Sequence, residues 1–181
     1  MNAVNQIPYA WPVLVLIIAT SDPAIAQSPD LKVFTSQDGG FQALLLSEPS
    51  FSKSKDGSGA NDFQYQYVSG TSTGVYLIAW QDSKVESDAD EGAEAVYVTG
   101  RDAFRRAIQG EQVEYKKVIL HGLNGRETTF RIPARSGEAR SRMFLANHRW
   151  YHVLAMGTPD FVNSERTSQF LESFRLLPDK N

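Results

Sequence analysis

Alternating apolar and polar positions dominate the first half of the chain and predict β-strands. Residues 63–68 read Phe-Gln-Tyr-Gln-Tyr-Val, which is the two-residue period of a half-buried strand. Residues 75–80 are almost entirely apolar and predict a strand that is covered on both faces. The apolar runs 31–34 and 41–46 flank a turn sequence with two glycines, Gln37-Asp38-Gly39-Gly40, so they predict a hairpin.

A period of three to four residues replaces this alternation at two places and predicts helices. Between residues 88 and 109 the apolar side chains share one helical stripe, with acidic residues near its start and arginines near its end. This charge order suits the helix dipole. A second helix is predicted to run to about Ser173, with Thr158 as its N-cap and Pro159 at its first position.

The rest of the chain completes a sheet-and-helix pattern. Further strands are predicted at residues 113–120, 126–132, 140–146 and 149–156, and a short closing segment at 174–177. The polar residues 52–62 predict a loop, and Asn147-His148 a tight turn. The order of elements predicts an α+β fold, a mostly antiparallel sheet packed with two main α-helices.

The first 26 residues have the pattern of an export signal. Residues 13–19 are an unbroken apolar run, which is shorter than the roughly 20 residues of a membrane-spanning helix. Ala24-Ile25-Ala26 then offers a small-x-small cleavage site. We expect a signal peptide over residues 1–26 and a single domain over residues 27–181, periplasmic or secreted. No lysine or arginine precedes the apolar run, so an uncleaved N-terminal anchor is the alternative.

Composition narrows the possible functions. The 181 residues include no cysteine, which excludes a disulfide scaffold, a zinc-thiolate site, an iron–sulfur cluster and a cysteine nucleophile. The net charge of −3 argues against a nucleic-acid-binding protein. We find no cofactor motif and expect no cofactor.

Four groups of residues together resemble the PsbP-like family. They are Asp38-Gly39-Gly40-Phe41 with Pro49 behind it, the turn 122–126, the hairpin 142–154 and the terminal run 170–175. The namesake of the family is an extrinsic subunit of photosystem II, and the fold recurs in exported bacterial proteins of unknown role and in a Ran-binding nuclear import factor. These are turn and packing signals, so the resemblance implies a PsbP-like sandwich and not a particular activity. The basic segment by which the namesake binds the photosystem is not identified in this chain, so no photosystem role is predicted.

Charge is distributed unevenly along the chain. Residues 27–98 carry 4 basic and 11 acidic side chains, whereas residues 99–150 carry 11 basic and 5 acidic ones. Neighbouring strands lie about 4.8 Å apart, so arginines on adjacent strands are predicted to form a surface patch for an anionic partner. The alternative is that the basic half faces the acidic half. The candidate patch residues are Arg126, Arg131, Arg140, Arg142 and Arg149.

Two further motifs have a chemical interpretation and a simpler one. Gly70-Thr71-Ser72-Thr73-Gly74 matches the pattern of serine hydrolases, but its flanks are predicted strands instead of a strand and a helix. His148 and His152 have the spacing of a metal pair on a helix, but on a strand they lie about 13 Å apart. We therefore expect no catalytic residue and no metal site.

These observations lead to a ranked expectation of function. The first hypothesis is an exported, non-enzymatic binding module that acts on a protein or membrane-associated partner in the cell envelope, either an envelope protein or an anionic surface. The second is a small-molecule carrier with a pocket between sheet and helices. The third is a serine hydrolase using Ser72. Contact with a membrane is expected only through the signal peptide, and the oligomeric state is left open.

Overall fold

Two antiparallel sheets and three α-helices make up the part of the chain that the computed structural model describes, residues 30–46, 48–55, 63–89 and 91–178. The predicted signal peptide lies outside these residues. The strands are β1 (Leu31–Ser36), β2 (Phe41–Leu46), β3 (Ser50–Lys55), β4 (Phe63–Gly70), β5 (Gly74–Asp82), β6 (Glu111–Leu120), β7 (Leu123–Ile132), β8 (Gly137–Ala146), β9 (Arg149–Gly157) and β10 (Arg175–Leu176). The helices are α1 (Ala93–Ile108), α2 (Pro159–Val162) and α3 (Glu165–Ser173).

The larger sheet has the strand order β3-β4-β5-β9-β8-β7-β6, and the smaller sheet has the order β1-β2-β10. The predicted hairpin of β1 and β2 is confirmed, with Phe34 opposite Ala43. Helix α1 packs on one face of the large sheet, where Tyr97 and Phe104 are buried. Helix α3 and the small sheet pack on the other face around Phe41 and Phe170. The predicted α+β class is therefore confirmed.

Strand β5 shows why the large sheet needs both layers. Tyr76, Ile78 and Trp80 are buried against the small sheet and α3, while Leu77 and Ala79 are buried on the α1 side. Alternate side chains of a strand point to opposite faces, so a continuous apolar run requires cover on both. The prediction made from residues 75–80 is confirmed.

The loop predicted at residues 52–62 is corrected in its first part. Residues 50–55 form β3, which pairs with β4 so that Phe51 lies opposite Tyr67. The ring of Phe51 lies 5.1 Å from that of Tyr67. Cross-strand aromatic contacts of this kind stabilise a strand whose remaining residues are polar. Residues 56–62 lie outside the described residues.

The second predicted helix is two helices. Thr158 caps α2, as predicted, because its hydroxyl accepts a hydrogen bond from the Phe161 amide at 3.3 Å. Ser164 then caps α3 by accepting from the Thr167 amide at 3.2 Å. The break lets Phe161 and Phe170 pack against the same buried tyrosine, Tyr76, at ring distances of 4.9 and 4.5 Å. A second N-cap within the run is therefore the cause of the break.

The tight turn predicted at Asn147-His148 is confirmed between β8 and β9. Both residues have positive φ angles, 52° and 56°. Such angles characterise the two-residue hairpin turns whose twist matches that of the strands. No helix in the described part of the chain is long and apolar enough to cross a membrane.

Candidate functional site

The five arginines predicted to form one patch do not share a surface. Consecutive side chains of a strand point to opposite faces, and Arg126 on β7 therefore lies on the α1 face, in register with buried Met143. Glu127, the next residue, lies on the α3 face opposite Arg142 of β8. The prediction that all five arginines form a single patch is thus wrong, because they lie on both faces of the sheet. A binding role for individual arginines stays a prediction.

The α3 face holds a buried charge cluster centred on Glu127, which is 2% exposed. Its carboxylate accepts from Arg142 Nε at 2.5 Å and pairs with Arg140 Nε at 3.2 Å and Lys116 Nζ at 3.4 Å. Burial alone would raise the pKa of the Glu127 carboxyl, but the guanidiniums of Arg142 and Arg140 hold that pKa below its usual range. Arg142 also donates to the Leu171 carbonyl at 3.0 Å, so this Glu127 cluster fastens α3 to the sheet.

Opposite charges alternate over the rest of that face. Arg131 of β7 is exposed, and it lies in register between Glu111 of β6 and Glu138 of β8. Glu114 pairs with Lys116 at 2.8 Å. On β6, β7 and β8 this face carries four basic and four acidic side chains, and these residues are Lys116, Arg131, Arg140, Arg142, Glu111, Glu114, Glu127 and Glu138. All four acidic residues belong to the basic segment 99–150 itself. On this face the segment is therefore neutralised internally, and it does not pair with the acidic segment 27–98 as the alternative predicts.

Arg149 has a different position, at the beginning of β9. Its guanidinium donates to the Asp38 carbonyl at 2.8 Å, and its Nε lies 3.5 Å from the Asp82 carboxylate. Tyr151 on the same strand donates to the Gly39 carbonyl at 3.0 Å. Both side chains therefore hold the turn between β1 and β2 against the large sheet.

On the α1 face, Arg126 is the centre of a second charge cluster. Its Nε and second guanidinium nitrogen lie 2.9 and 2.6 Å from Glu94 Oε2, and its remaining nitrogen lies 3.1 Å from Asp88 Oδ1. The guanidinium also stacks 4.6 Å from the centre of the Tyr97 ring. The Arg126 side chain is only 8% exposed, whereas that of Glu94 is 54% exposed. This Arg126 cluster therefore has a buried cation and an accessible anion.

The Arg126 cluster lines an open cleft of about 620 Å³ between the start of α1 and strands β6 and β7. Tyr115 of β6 donates to Glu94 Oε1 at 2.7 Å, and Arg101 lies 4.7 Å over the tyrosine ring. Lys117 lies opposite Arg126 in the β6–β7 register. The polar residues of the cleft are Asp88, Glu94, Tyr115, Lys116, Lys117 and Arg126.

The electrostatics of the cleft keep its groups in fixed charge states at neutral pH. Burial would raise the pKa of the Glu94 carboxyl, but hydrogen bonds from Tyr115 and Arg126 lower it on balance. Burial, together with the neighbouring Glu94, raises the pKa of Tyr115 to about 12. The Lys116 ammonium points to the other face of β6, where it pairs with Glu114 and Glu127. The cleft thus presents an anionic carboxylate, a neutral hydroxyl and the exposed Lys117. Such a set can bind a polar partner by hydrogen bonds and ion pairs.

Comparison with solved structures identifies the architecture. The solution structure of cyanobacterial PsbP from Synechocystis sp. PCC 6803 matches with a TM-score of 0.57 and 9% sequence identity, over 86% of this chain and 98% of that chain. The fold is PsbP-like. The resemblance inferred from turn and packing residues is thereby confirmed for the architecture, and at this identity it concerns the fold alone.

Other comparisons add no argument to this one. A crystal structure of a protein of unknown function from Pseudomonas aeruginosa matches this chain with a TM-score of 0.42 and 10% sequence identity, over 84% of this chain and 99% of that chain. A crystal structure from Bacteroides thetaiotaomicron matches with a TM-score of 0.40 and 10% sequence identity, over 83% of this chain and 50% of that chain. No protein-family model matches the chain, and no curated protein matches it.

The serine motif of this PsbP-like chain lies in a turn between two strands. Ser72 is exposed between β4 and β5, and Thr71 shapes the turn by accepting from the Gly74 amide at 3.3 Å. A serine hydrolase needs its nucleophile between a strand and a helix. The flanks predicted as strands are confirmed, and Ser72 does not have that geometry.

The two histidines of the predicted strand have opposite environments. His148 is exposed in the turn, whereas His152 is fully buried on the α1 face beside Phe104. His152 Nε2 lies 2.7 Å from Ser141 Oγ, a pair that only the β8–β9 register brings together. Burial lowers the pKa of His152 to about 3, so the ring is neutral. Within the described ranges, no three acidic or histidine side chains are placed to hold a metal ion.

Sequence reasoning missed most of the cleft. In the sequence, the helix dipole accounts for Asp88 and Glu94, and Tyr115 and Lys117 lie in a predicted strand with no further role. Arg126 bonds to residues 32 and 38 positions earlier in the chain. The sequence does carry one signal, the concentration of acidic residues before α1, followed by two predicted strands that carry Lys117 and Arg126.

Proposed function

We propose that the chain is an exported, non-enzymatic binding module that acts on a protein or membrane-associated partner in the cell envelope, and that the cleft beside Arg126 is its binding surface. One observation carries the proposal: side chains from α1, β6 and β7 and from the segment before α1 converge on one concave surface and already bond to one another. Prearranged polar groups lose little conformational entropy when they bind. Export is supported by the pattern of residues 1–26.

The charges of the cleft indicate what the partner carries. Arg126 is already engaged by Asp88 and Glu94, so it positions these acids and the partner meets other groups. Lys117, which shares a face of β6 with Tyr115, is exposed and pairs with a carboxylate of the partner. Glu94 is half exposed and accepts hydrogen bonds from the partner's N–H groups. We therefore expect a partner segment with acidic side chains and free backbone amides.

Affinity capture with matched variants tests the proposal. The chain from Gln27 is immobilised and exposed to host envelope extract at low and high salt, beside the cleft variant Lys117→Glu and the control variant Lys84→Glu/Arg135→Glu. Lys84 and Arg135 are exposed and lie outside the cleft. We expect a protein that the wild type and the Lys84/Arg135 control retain at low salt and release at high salt, and that the cleft variant does not retain. Equal retention by both variants would contradict the proposal.

The size of the cleft favours one alternative, a small-molecule binding protein that uses the same residues. Ligand pockets typically measure about 300–1,000 Å³, and the cleft falls in this range. A ligand that binds only the folded state raises the melting temperature. A thermal-shift screen with anionic metabolites therefore separates the two functions. Stabilisation of the wild type but not of the cleft variant, in the absence of a captured protein, supports the small-molecule function.

A further inference from the structure

The free edge of β3 carries an arrangement of side chains that the cleft does not use. β3 and β6 are the two edge strands of the large sheet, so β3 lies at the opposite edge from the cleft. Five of the six β3 residues are exposed, and Phe51 is 53% exposed. An edge strand presents one row of backbone N–H and C=O groups without a sheet partner, and such a row can accept an additional strand.

The two faces of β3 differ in chemistry. Phe51, Lys53 and Lys55 alternate on one face, and serines occupy the three positions of the other. On the first face, Phe51 contacts an aromatic row on β4 and β5, with ring distances of 5.1 Å to Tyr67 and 6.3 Å to Trp80. The row gives an incoming strand an apolar contact on one side only.

The ammonium group of Lys53 on this face is held in place. Lys53 Nζ lies 3.9 Å from the centre of the Phe63 ring and 5.1 Å from that of Tyr65. Such cation–π contacts orient the ammonium while leaving its donors free for an anion. β3 and β4 carry no acidic side chain, and Asp82 at the end of β5 pairs with Arg149 at 3.5 Å.

We propose that the β3 edge binds an extended acidic segment of a partner protein as an eighth strand of the large sheet. The segment places an apolar side chain beside Phe51 and carboxylates beside Lys53 and Lys55, at alternate positions. A second copy of this chain fits less well, because two β3 strands would bring four lysines together. The β6 edge is less suited, because a register shift between Gln112 and Glu114 interrupts it.

A synthetic peptide tests this proposal on the full chain, independently of the cleft. The probe is acetyl-Thr-Glu-Thr-Glu-Thr-Leu-Thr-amide, and a second peptide has lysine in place of both glutamates. Fluorescence anisotropy should show binding of the first peptide and not of the second. We expect Lys53→Glu/Lys55→Glu to weaken binding about tenfold or more, and Phe51→Ala several-fold. Val113→Ala, which changes a residue 58% exposed on the β6 edge, and Lys84→Glu/Arg135→Glu should leave affinity unchanged.

Backbone pairing is tested by N-methylation of the peptide. One version carries methyl groups on the glutamate and leucine amides, and the other on the threonine amides. Strand addition uses alternate residues, so only one of the two versions should lose binding.

Several results would overturn the proposal. One is the absence of binding at millimolar peptide, which is expected if the lysines only deter pairing of the edge. A second is equal loss of binding with both methylated peptides. A third is peptide binding that depends on Lys117 of the cleft instead of the lysines of β3, and a fourth is concentration-dependent dimerisation that Phe51→Ala abolishes. Binding to vesicles of anionic lipid without binding to the peptide would likewise assign the edge to a membrane surface.

Discussion

Two charge clusters lie back to back on β7 and differ in what surrounds them. Glu127 and Arg142 are both nearly covered by α3 and the sheet, and the Arg142 guanidinium also bonds to the backbone of α3. Arg126 is equally buried, but its partner Glu94 is half exposed and its surroundings form an open cleft. Adjacent residues of one strand thus serve one closed cluster and one open cluster.

This difference explains why buried arginines alone do not identify a binding surface. In the Glu127 cluster, the Arg142 guanidinium already bonds to the Glu127 carboxylate and to a backbone carbonyl of α3. These two contacts serve the fold and do not point to a partner. In the Arg126 cluster, the guanidinium positions an accessible carboxylate beside a tyrosine hydroxyl and Lys117. We assign the first cluster to stability and propose binding for the second.

The largest expected loss of stability comes from breaking the closed Glu127 cluster. Glu127→Gln leaves the buried Arg142 without a counter-charge, and such a change typically costs about 3–5 kcal/mol of unfolding free energy. Urea unfolding monitored by circular dichroism measures the loss. The surface variant Arg131→Ser is the control on the same strand and face, because Arg131 is exposed. A loss below about 1 kcal/mol for Glu127→Gln would show that the cluster is not structural.

The loss of stability at acidic pH should depend more on the closed Glu127 cluster than on the open Arg126 cluster. The pKa values of Glu127 and Glu94 both lie below the ordinary 4.5. Each carboxylate therefore contributes stability above about pH 4.5 that is lost as the pH falls through the folded-state value. Urea unfolding between pH 7 and pH 3 should show a flatter pH dependence for Glu127→Gln than for the wild type. Glu94→Gln should stay closer to the wild type, because Glu94 is half exposed. The reverse order would contradict the comparison.

Removing the cation of the open cluster should cost less. Arg126→Met leaves Glu94 and Asp88 able to turn to water, so we expect a loss of about 1–2 kcal/mol in the same urea assay. The variant should also weaken partner capture, since Glu94 loses its fixed position. If Arg126→Met destabilises the chain as much as Glu127→Gln does, the distinction between open and closed clusters fails.

The smallest effect on stability is expected at Lys117. This residue is exposed on the cleft, so Lys117→Glu should change the unfolding free energy by less than about 0.5 kcal/mol. Partner capture should nevertheless fall, because the variant places a second negative charge beside Glu94. Unchanged capture with unchanged stability would remove Lys117 from the proposed binding surface.

Periodicity predicted most of the secondary structure, because local patterns report local geometry. The apolar run 75–80 required cover on two faces, and the glycine turn at residues 37–40 implied the β1–β2 hairpin. Local patterns failed where a distant contact decided the outcome. Polar β3 is a strand because Phe51 packs on β4, and Ser164 divides the last helix so that two phenylalanines pack against Tyr76.

The clusters could be predicted only in part, because charge is visible in a sequence and strand register is not. The arginines of residues 99–150 suggest a basic surface, but the strand register places acidic side chains opposite Arg131 and Arg142. Whether Arg126 faces α1 or α3 would reverse if β7 slipped by one residue. The acids that meet Arg126 come from the segment before α1 and from its first turn.

Site-specific photo-crosslinking tests the central claim most directly. A benzophenone amino acid replaces Lys117 in the cleft in one variant and Arg131 on the opposite face of the sheet in another, and each is irradiated in host envelope extract. Both positions are exposed on the β6–β7 pair. The account predicts a defined adduct from position 117 that high salt abolishes, and none from position 131. An adduct from position 131 with none from position 117 would contradict it.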